Sequence, residues 1–471
     1  MKKAICFILL ISLFATCVAC SNANEEIFDV PDYNDTLTVE KAIDMNGYEC
    51  IFLQENNYNE ENTPLMYLTD SLYYDLMIQR VKDVETKYNC KITFDASHSA
   101  GANMQAYILR CFNGGIVAFD MYYGGNSNVN SAMAFDGYFY PLNELSDYID
   151  LSDSSKYGGA NLLECCMADG IPYGVVPVAL PQKAAQACIE PIFTINEGLI
   201  TSKGFTDPRD LYEQKTWTWD ALDRVTDEYY ISEGDTVIHS FATNEENYLV
   251  GFIGGCGMKI VYEMGDNLVA GYLEPQVSVA LDKARTFRTE HKEQIRFPSI
   301  SLNQILVEGS AVMTLNISID INNIAKEMDN FGIVPFPVDG TTTQNGEETT
   351  FYSSIDTISI NRMVEEPEFD AMILSALLDP INGYSESEMA DFLYTTMFYD
   401  MRDVQIFMNL TKNSQFNYYA KNGYGIISSL MTLYKENTGT EVIEAIRNQF
   451  KDVINDCIAP NYYGYVKDHI Q

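Results

Sequence analysis

The stretch from Glu49 to Phe94 constrains the fold more than any other. Glu49-Cys-Ile-Phe-Leu-Gln54 reads as a short strand, an acidic, asparagine-rich loop runs from Glu55 to Asp70, and Leu72, Leu76, Ile78, Val81, Val84 and Tyr88 then recur at helical spacing. Asn89 ends that helix before a second strand, Cys90-Lys-Ile-Thr-Phe94. A strand, a crossover helix and another strand form a βαβ unit, which predicts a parallel sheet within an α/β fold. The pattern continues with a helix from about Asn103 to Phe112, a turn at Gly114-Gly115 and a strand through Phe119-Asp-Met-Tyr-Tyr123, broken by Gly124-Gly125. Ligands of open α/β sheets gather at the carboxyl ends of the strands, so Tyr122, Tyr123 and Asn126 stand where a site is expected. The competing reading has both tyrosines simply straddling the sheet.

A second α/β series follows Gly170-Ile-Pro-Tyr-Gly-Val-Val-Pro-Val178, a strand bounded by glycine and proline that suits a crossing between lobes. It contains the strand Glu190-Pro-Ile-Phe-Thr-Ile-Asn196, a glycine-rich Gly251-Phe-Ile-Gly-Gly-Cys-Gly257, a helix from about Gln276 to Glu290, and strands at Ala311–Leu315 and Phe331–Phe336. A polar loop from Asp339 to Thr350 precedes the alternating strand Ser354–Ile360, and beyond it the chain reads as nearly all helical to Lys467. At 471 residues there is enough chain for two sizeable lobes. Both tryptophans lie in Gln214-Lys-Thr-Trp-Thr-Trp-Asp-Ala-Leu222. Thr218 suits a helix N-cap and Asp220 complements the helix dipole, so both rings read first as packing anchors at a helix start.

The first residues, MKKAICFILLISLFATCVAC, carry two lysines, an apolar run from Ala4 to Ala19 and then Cys20, the layout of a secretory signal too short to span a bilayer. Cys17-Val-Ala-Cys20 resembles a bacterial lipobox, departing from it at Cys17 where leucine is usual, and this resemblance implies cleavage after Ala19 and lipidation of Cys20. The alternative is ordinary signal cleavage with Cys20 as a bystander. The spacer from Ser21 to Asp44 is rich in Asn, Asp and Glu, and no later run is apolar enough for a membrane span.

A formal net charge of −38 repels phosphate backbones and excludes nucleic acid as a partner. Beyond Cys20, the cysteines at 50, 90, 111, 165, 166, 188, 256 and 457 form no CxxC pair, which fits neither a zinc site nor a dense disulfide scaffold. The four histidines, at 98, 239, 291 and 469, belong to no HExxH motif. No GxSxG elbow occurs, and Gly254-Gly-Cys-Gly257 lacks the spacing of a phosphate loop, so no bound cofactor is expected; 67 acidic residues leave the two carboxylates of a glycosidase open, and it is the ordered pieces given next that argue against an enzyme.

Several pieces, taken in order, carry a resemblance over residues 47–463. They are Val81-Lys-Asp-Val-Glu-Thr-Lys-Tyr88, the strand end at Phe119-Asp120, Gly137-Tyr-Phe-Tyr-Pro-Leu142 with Ile149-Asp-Leu151, and Gly170-Ile-Pro-Tyr-Gly174. Thr194-Ile-Asn196, Lys215-Thr-Trp-Thr-Trp-Asp220, Glu308-Gly-Ser-Ala-Val-Met313, Phe331-Gly-Ile-Val-Pro-Phe-Pro337 and Arg402-Asp403 complete the series. The chain resembles the family 1 extracellular solute-binding proteins of bacterial ABC importers, in the maltose-binding-like group. The resemblance implies a two-lobed periplasmic-binding-protein type II clamshell, each lobe a mixed sheet flanked by helices, with a helical C-terminal region. Residues 45–178 with 351–382 would form one lobe, and 179–350 with 383–471 the other. It also implies a monomer, tethered to the outer face of a membrane by its lipid, that delivers a small solute to permease subunits. The solute class it favours is a sugar or oligosaccharide, with peptides, polyamines and a non-transport adhesin role as alternatives.

Mapping the cleft edge of that family onto this chain yields four patches and one hinge residue. Asp70, Ser71 and Tyr73 precede the first long helix, where Asp70 and Ser71 also suit helix caps. Tyr122, Tyr123 and Asn126 end the third strand. Asn316 and Ser318 follow the strand Ala311–Leu315. This chain has Ile317 and Ile319 near the place where the family often carries an aromatic residue, which argues against a stacking platform there. Tyr418, Tyr419 and Tyr424 lie in an aromatic cluster suited either to sandwiching a sugar ring or to packing helices. Asp356, in the return strand, is placed to accept from a hydroxyl or to face a turn.

Overall fold

Apolar strands separated by amphipathic helices build two sheets, and a third, small sheet lies where the chain passes between them. The computed structural model describes residues 43–449, apart from the internal segments 56–62, 68–73, 99–101, 126–136, 160–161, 164–165, 169–170, 181–187, 259–260, 265–266, 271–272, 343–349, 382–385 and 417–425. In the first sheet Tyr48–Gln54 pairs in parallel with Cys90–Asp95 on one side and Met121–Gly125 on the other. Asp356–Ile360 returns from far along the chain to pair antiparallel with Met121–Gly125, closing the order. The crossover helix Tyr74–Tyr88 buries Leu76, Met77, Val81, Val84 and Tyr88, the three- and four-residue spacing that the sequence shows. Asn89 stops it by turning into positive φ, at 49°.

That helix also buries Arg80 completely. Its guanidinium donates to the carbonyl oxygens of Ala376 and Asp379, at 3.0 and 2.7 Å. These lie at the C-terminal end of the helix Pro367–Leu377, where unpaired carbonyls and the negative end of the helix dipole favour a cation. Two segments some 300 residues apart are thereby joined inside one lobe.

The second sheet orders Ile295–Arg296, Thr236–Thr243, Ala311–Asn316, Ile192–Asn196 and Phe331–Pro335, with Ile231–Glu233 paired to Thr236–Thr243. Ala311–Asn316 runs parallel to Thr236–Thr243, while Ile192–Asn196 is antiparallel to both of its neighbours, so the sheet is mixed. Strands covered on both faces are buried at every position, as Ala311–Asn316 and Phe331–Pro335 are. Helices Glu245–Gly255 and Pro275–Glu290 pack beside this sheet, and Gly439–Gln449 packs on Pro275–Glu290.

The tryptophan pair is a packing anchor, as its setting at a helix start implies. Thr218 is extended at φ −122° and its hydroxyl accepts from the Ala221 N–H, opening the helix Trp219–Tyr229. Trp217 is wholly buried, and its ring N–H donates to the Pro335 carbonyl oxygen at 2.8 Å. Trp219 packs on Phe252, with ring centroids 5.4 Å apart. This contact explains the glycine-rich run, because a Cβ on Gly255 would strike the Trp219 ring and the Pro337 carbonyl oxygen, and one on Gly251 would strike Phe336. The glycines occur inside the helix Glu245–Gly255 to let it approach these rings.

Beneath the same sheet, Arg209 is buried among three carboxylates. Its Nη1 lies 2.9 Å from Asp403 and also contacts Glu197, while Nη2 lies 2.7 Å from Asp207. The other oxygen of Asp403 accepts the Ile333 N–H at 2.8 Å. A Cβ on Gly332 would overlap the guanidinium, so glycine is required in that strand.

Between the sheets, Cys188–Glu190, Phe351–Ser354 and Gln415–Phe416 form the small third sheet. The first two strands run straight on into Ile192–Asn196 of one main sheet and Asp356–Ile360 of the other. Four predicted strands differ in detail. Phe119–Tyr123 begins later, at Met121, and Gly124-Gly125 do not break it but pair with Thr357 and Asp356 inside the ladder. Glu190–Asn196 is two strands, because Pro191 offers no N–H to a ladder. Ser354–Ile360 likewise divides at Ile355, where the chain passes from one sheet to the next. Gly170–Val178 is not continuous: only Ile171–Pro172 is a strand and Val175 makes an isolated bridge to Ile358, since Pro172 and Pro177 cannot donate. Cys50, Cys90, Cys111, Cys166 and Cys256 are unbridged thiols.

Trp219→Ala should destabilise the protein by about 3–5 kcal/mol through lost burial and the cavity left behind, lowering the melting temperature by several degrees in calorimetry. Asp403→Ala leaves the Arg209 charge short of a buried partner and frees the Ile333 N–H. A loss of about 3–5 kcal/mol in chemical denaturation is expected, and a change below about 1 kcal/mol would contradict the role assigned to the pair.

Candidate functional site

The carboxyl ends of Tyr48–Gln54 and Met121–Gly125 meet the small third sheet, and polar groups concentrate there. Side chains alternate across a strand, so Tyr122 and Tyr123 project to opposite faces of the first sheet, and both are wholly buried. The Tyr122 ring lies parallel to Phe139, with centroids 6.1 Å apart, and its hydroxyl donates to the Glu55 carboxylate. Burial and the adjoining Glu55 charge push the Tyr122 hydroxyl well above its ordinary value, so it stays a protonated donor. On the other face, the Tyr123 hydroxyl donates to Asp356 Oδ2 at 3.3 Å. Asp356 opens the return strand opposite Gly125, half-buried, one residue beyond Ile355 at the crossing.

The structure therefore brings together Tyr122, Tyr123 and Asp356, with Glu55 added. Glu55 follows the first strand directly and is 5% exposed. The signal that marks it is its position at a strand's carboxyl end, although it is one acid among several in the sequence there. Gly124 separates the pieces: a Cβ on it would collide with the Tyr122 hydroxyl and the Glu55 side chain.

On the side of the second sheet, Asn316 and Ser318 are buried. Asn316 Nδ2 donates to Asn303 Oδ1 at 3.2 Å. Ser318 clasps the crossing strand Cys188–Glu190: its hydroxyl accepts the Ile189 N–H and its own N–H donates to the Ile189 carbonyl oxygen, each at 2.9 Å. Asp70, Ser71, Tyr73, Asn126, Tyr418, Tyr419 and Tyr424 lie outside the described residues, as does Cys20.

Among the described residues, Glu197, Asp400 and Asp403 hold carboxylate oxygens close enough together for a metal ion. Arg209 already supplies positive charge to two of them, Glu197 and Asp403. A cavity of about 330 Å³ opens beside them, lined by Asp329, Phe331, Tyr394, Tyr399 and Met401 among others. No helix of the described residues is long and apolar enough to cross a membrane. Chemically, the Glu55 and Asp356 cluster presents acceptors fixed by tyrosine hydroxyls, an arrangement suited to hydroxyl or ammonium donors.

No protein-family model matches the sequence, and no curated protein matches it either. Solved structures do. A cyclo/maltodextrin-binding protein complexed with maltotetraose is similar over 87% of this chain and 98% of its own, at a TM-score of 0.58 and 12% identity. UgpB from Mycobacterium tuberculosis, in complex with glycerophosphocholine, matches 88% of this chain and 100% of its own at 0.58 and 13%. The sugar-binding protein MalE from Xanthomonas citri matches 86% and 97% at 0.58 and 10%. The fold is thus the two-lobed periplasmic-binding-protein fold of ABC-transporter substrate-binding proteins.

Gly124→Ala should force the Tyr122 hydroxyl away from Glu55, at a cost of about 1–3 kcal/mol from overpacking. Denaturation of the variant checks this, and unchanged stability would show that the strand end yields without strain.

Proposed function

We propose that the protein is a substrate-binding protein that captures a sugar or oligosaccharide between its two lobes and hands it to the permease of an ABC importer. The observation that carries this reading is the fold, which the chain shares along nearly its whole described length with carbohydrate-binding members. On this reading the lobes are 45–178 with 351–382 and 179–350 with 383–471, hinged at the small third sheet. Glu55 and Asp356 accept hydroxyls of the ligand from the hinge side, and Tyr122 and Tyr123 hold those carboxylates in place. Asp70, Ser71, Tyr73, Asn126, Asn316 and Ser318 contribute further polar contacts, and Tyr418, Tyr419 and Tyr424 supply aromatic faces from the other lobe. Residues 1–19 are a leader, Cys20 carries the lipid that tethers a monomer to the outer face of the membrane, and 20–44 is the spacer. The protein binds and releases its ligand unchanged, without a cofactor.

A second reading, a non-carbohydrate solute, is favoured by one observation: the glycerophosphocholine complex of UgpB has the same TM-score as the maltotetraose complex. Leaderless protein titrated by calorimetry with malto-oligosaccharides, other oligosaccharides, glycerophosphocholine, peptides and polyamines separates the two. Saturable binding of an oligosaccharide is expected, weakened at least tenfold, or by about 1.4 kcal/mol, in Asp356→Ala. Binding of a non-carbohydrate alone would replace the sugar reading, and turnover of the ligand would overturn the binding-protein reading altogether.

A further inference from the structure

The first lobe buries a second acidic cluster, away from Glu55 and Asp356, that the proposed binding role does not use. Tyr48, at the start of the first strand, points its hydroxyl between two aspartates, 3.3 Å from Asp120 Oδ1 and 3.1 Å from Asp370 Oδ1. Asp120 leads into the strand Met121–Gly125, and its other oxygen accepts the Ile51 N–H at 2.7 Å. Asp370 lies in the helix Pro367–Leu377 with no exposure, and its Oδ2 has no hydrogen-bond partner. The wholly buried Cys50 thiol also faces Asp370, whose charge adds to the burial that raises the thiol. The Phe369 ring meets Tyr48 edge-on at 5.5 Å and helps shut out water.

The proton count of this cluster is decisive. A phenol carries one hydrogen and can donate to only one of two carboxylates, so with both aspartates ionised one oxygen would face the phenol's lone pairs. Among the described residues no lysine, arginine or histidine makes a hydrogen bond or ion pair with either aspartate. The titratable groups that face them are Tyr48 and Cys50 from the first strand and each other. We propose that Asp120 and Asp370 share a proton at neutral pH, through Tyr48, and that its loss loosens the first lobe as the medium becomes alkaline. Burial raises both carboxyls above the ordinary aspartate range, with the Asp120 charge adding to the rise at Asp370. An acid held protonated by the fold contributes stability that is fully present below the unfolded pKa, about 3.9, and is lost as pH rises through the higher folded value.

Thermal unfolding of the full chain and of Asp370→Asn, at about pH 5, 7 and 9, tests the linkage. Asparagine keeps the shape but has no proton to lose, so the variant's melting temperature should gain on the unmodified protein by several degrees as pH rises. Asp403, whose carboxyl burial pushes up to about 7, contributes the same slope to both proteins and drops out of the difference. Parallel melting curves across the range would overturn the proposal. Should Asp370→Asn fail to fold, Asp120→Asn serves in its place. Infrared spectra of the unmodified protein with isotopically labelled aspartate give a second readout. A protonated-carboxyl band at neutral pH that shifts in Tyr48→Phe supports the shared proton, and a band absent or unmoved by that change overturns it.

Discussion

The buried contact between Arg209 and Asp403 holds the second lobe together across 194 residues of chain. A guanidinium out of water needs carboxylates on several sides, and here Asp207, Glu197 and Asp403 come from three separate helical segments and their ends. Asp403 does a second task by accepting the Ile333 N–H, which fixes the helix Met401–Asn413 against the strand Phe331–Pro335. The helix Met401–Asn413 therefore rests on a defined ionic seat.

Where the two main sheets meet, hydrogen bonds fix strands that also bury Ile189, Ile192 and Ile355 in apolar core. Ser318 pins the outgoing crossing strand through both its hydroxyl and its backbone, and the buried hydroxyls of Thr350 and Ser414 lie 2.6 Å apart beside the returning one. Tyr123 reaches Asp356 just past that return. Directional contacts of this kind fix the register of the crossing strands.

Much of this was legible in the sequence because it is local. The spacing of Leu76, Val81, Val84 and Tyr88 specifies a helix face, and Thr218 with Asp220 specifies a helix start, each within one or two turns of chain. The illegible parts depend on partners remote in sequence. Asp403 reads as one acid in an acidic chain until Arg209 is brought to it. Glu55 shows its setting only when Tyr122 is placed across the neighbouring strand. The divided strands were hidden for another reason: Pro191 and Ile355 sit inside good strand sequence, and only the change of sheet reveals the break. Of the candidate site, Tyr122 and Tyr123 were readable from the rule that strand ends face the ligand, and Asp356 from the return strand that the family resemblance implies, while the tyrosine rings themselves prove to be embedded in the sheet rather than displayed.

Arg80 has a consequence for the order in which the chain takes shape. Its guanidinium donates to the carbonyl oxygens of Ala376 and Asp379, and among the described residues the outer neighbour of the strand Met121–Gly125 is Asp356–Ile360. A ribosome therefore makes every strand of the second main sheet before it makes the pieces that complete the first. Until then the first sheet has an open edge and Arg80 has yet to meet the carbonyl oxygens of Ala376 and Asp379, so that part of the fold cannot settle into its final form. Of the two main sheets, the one that begins first is the one that closes last.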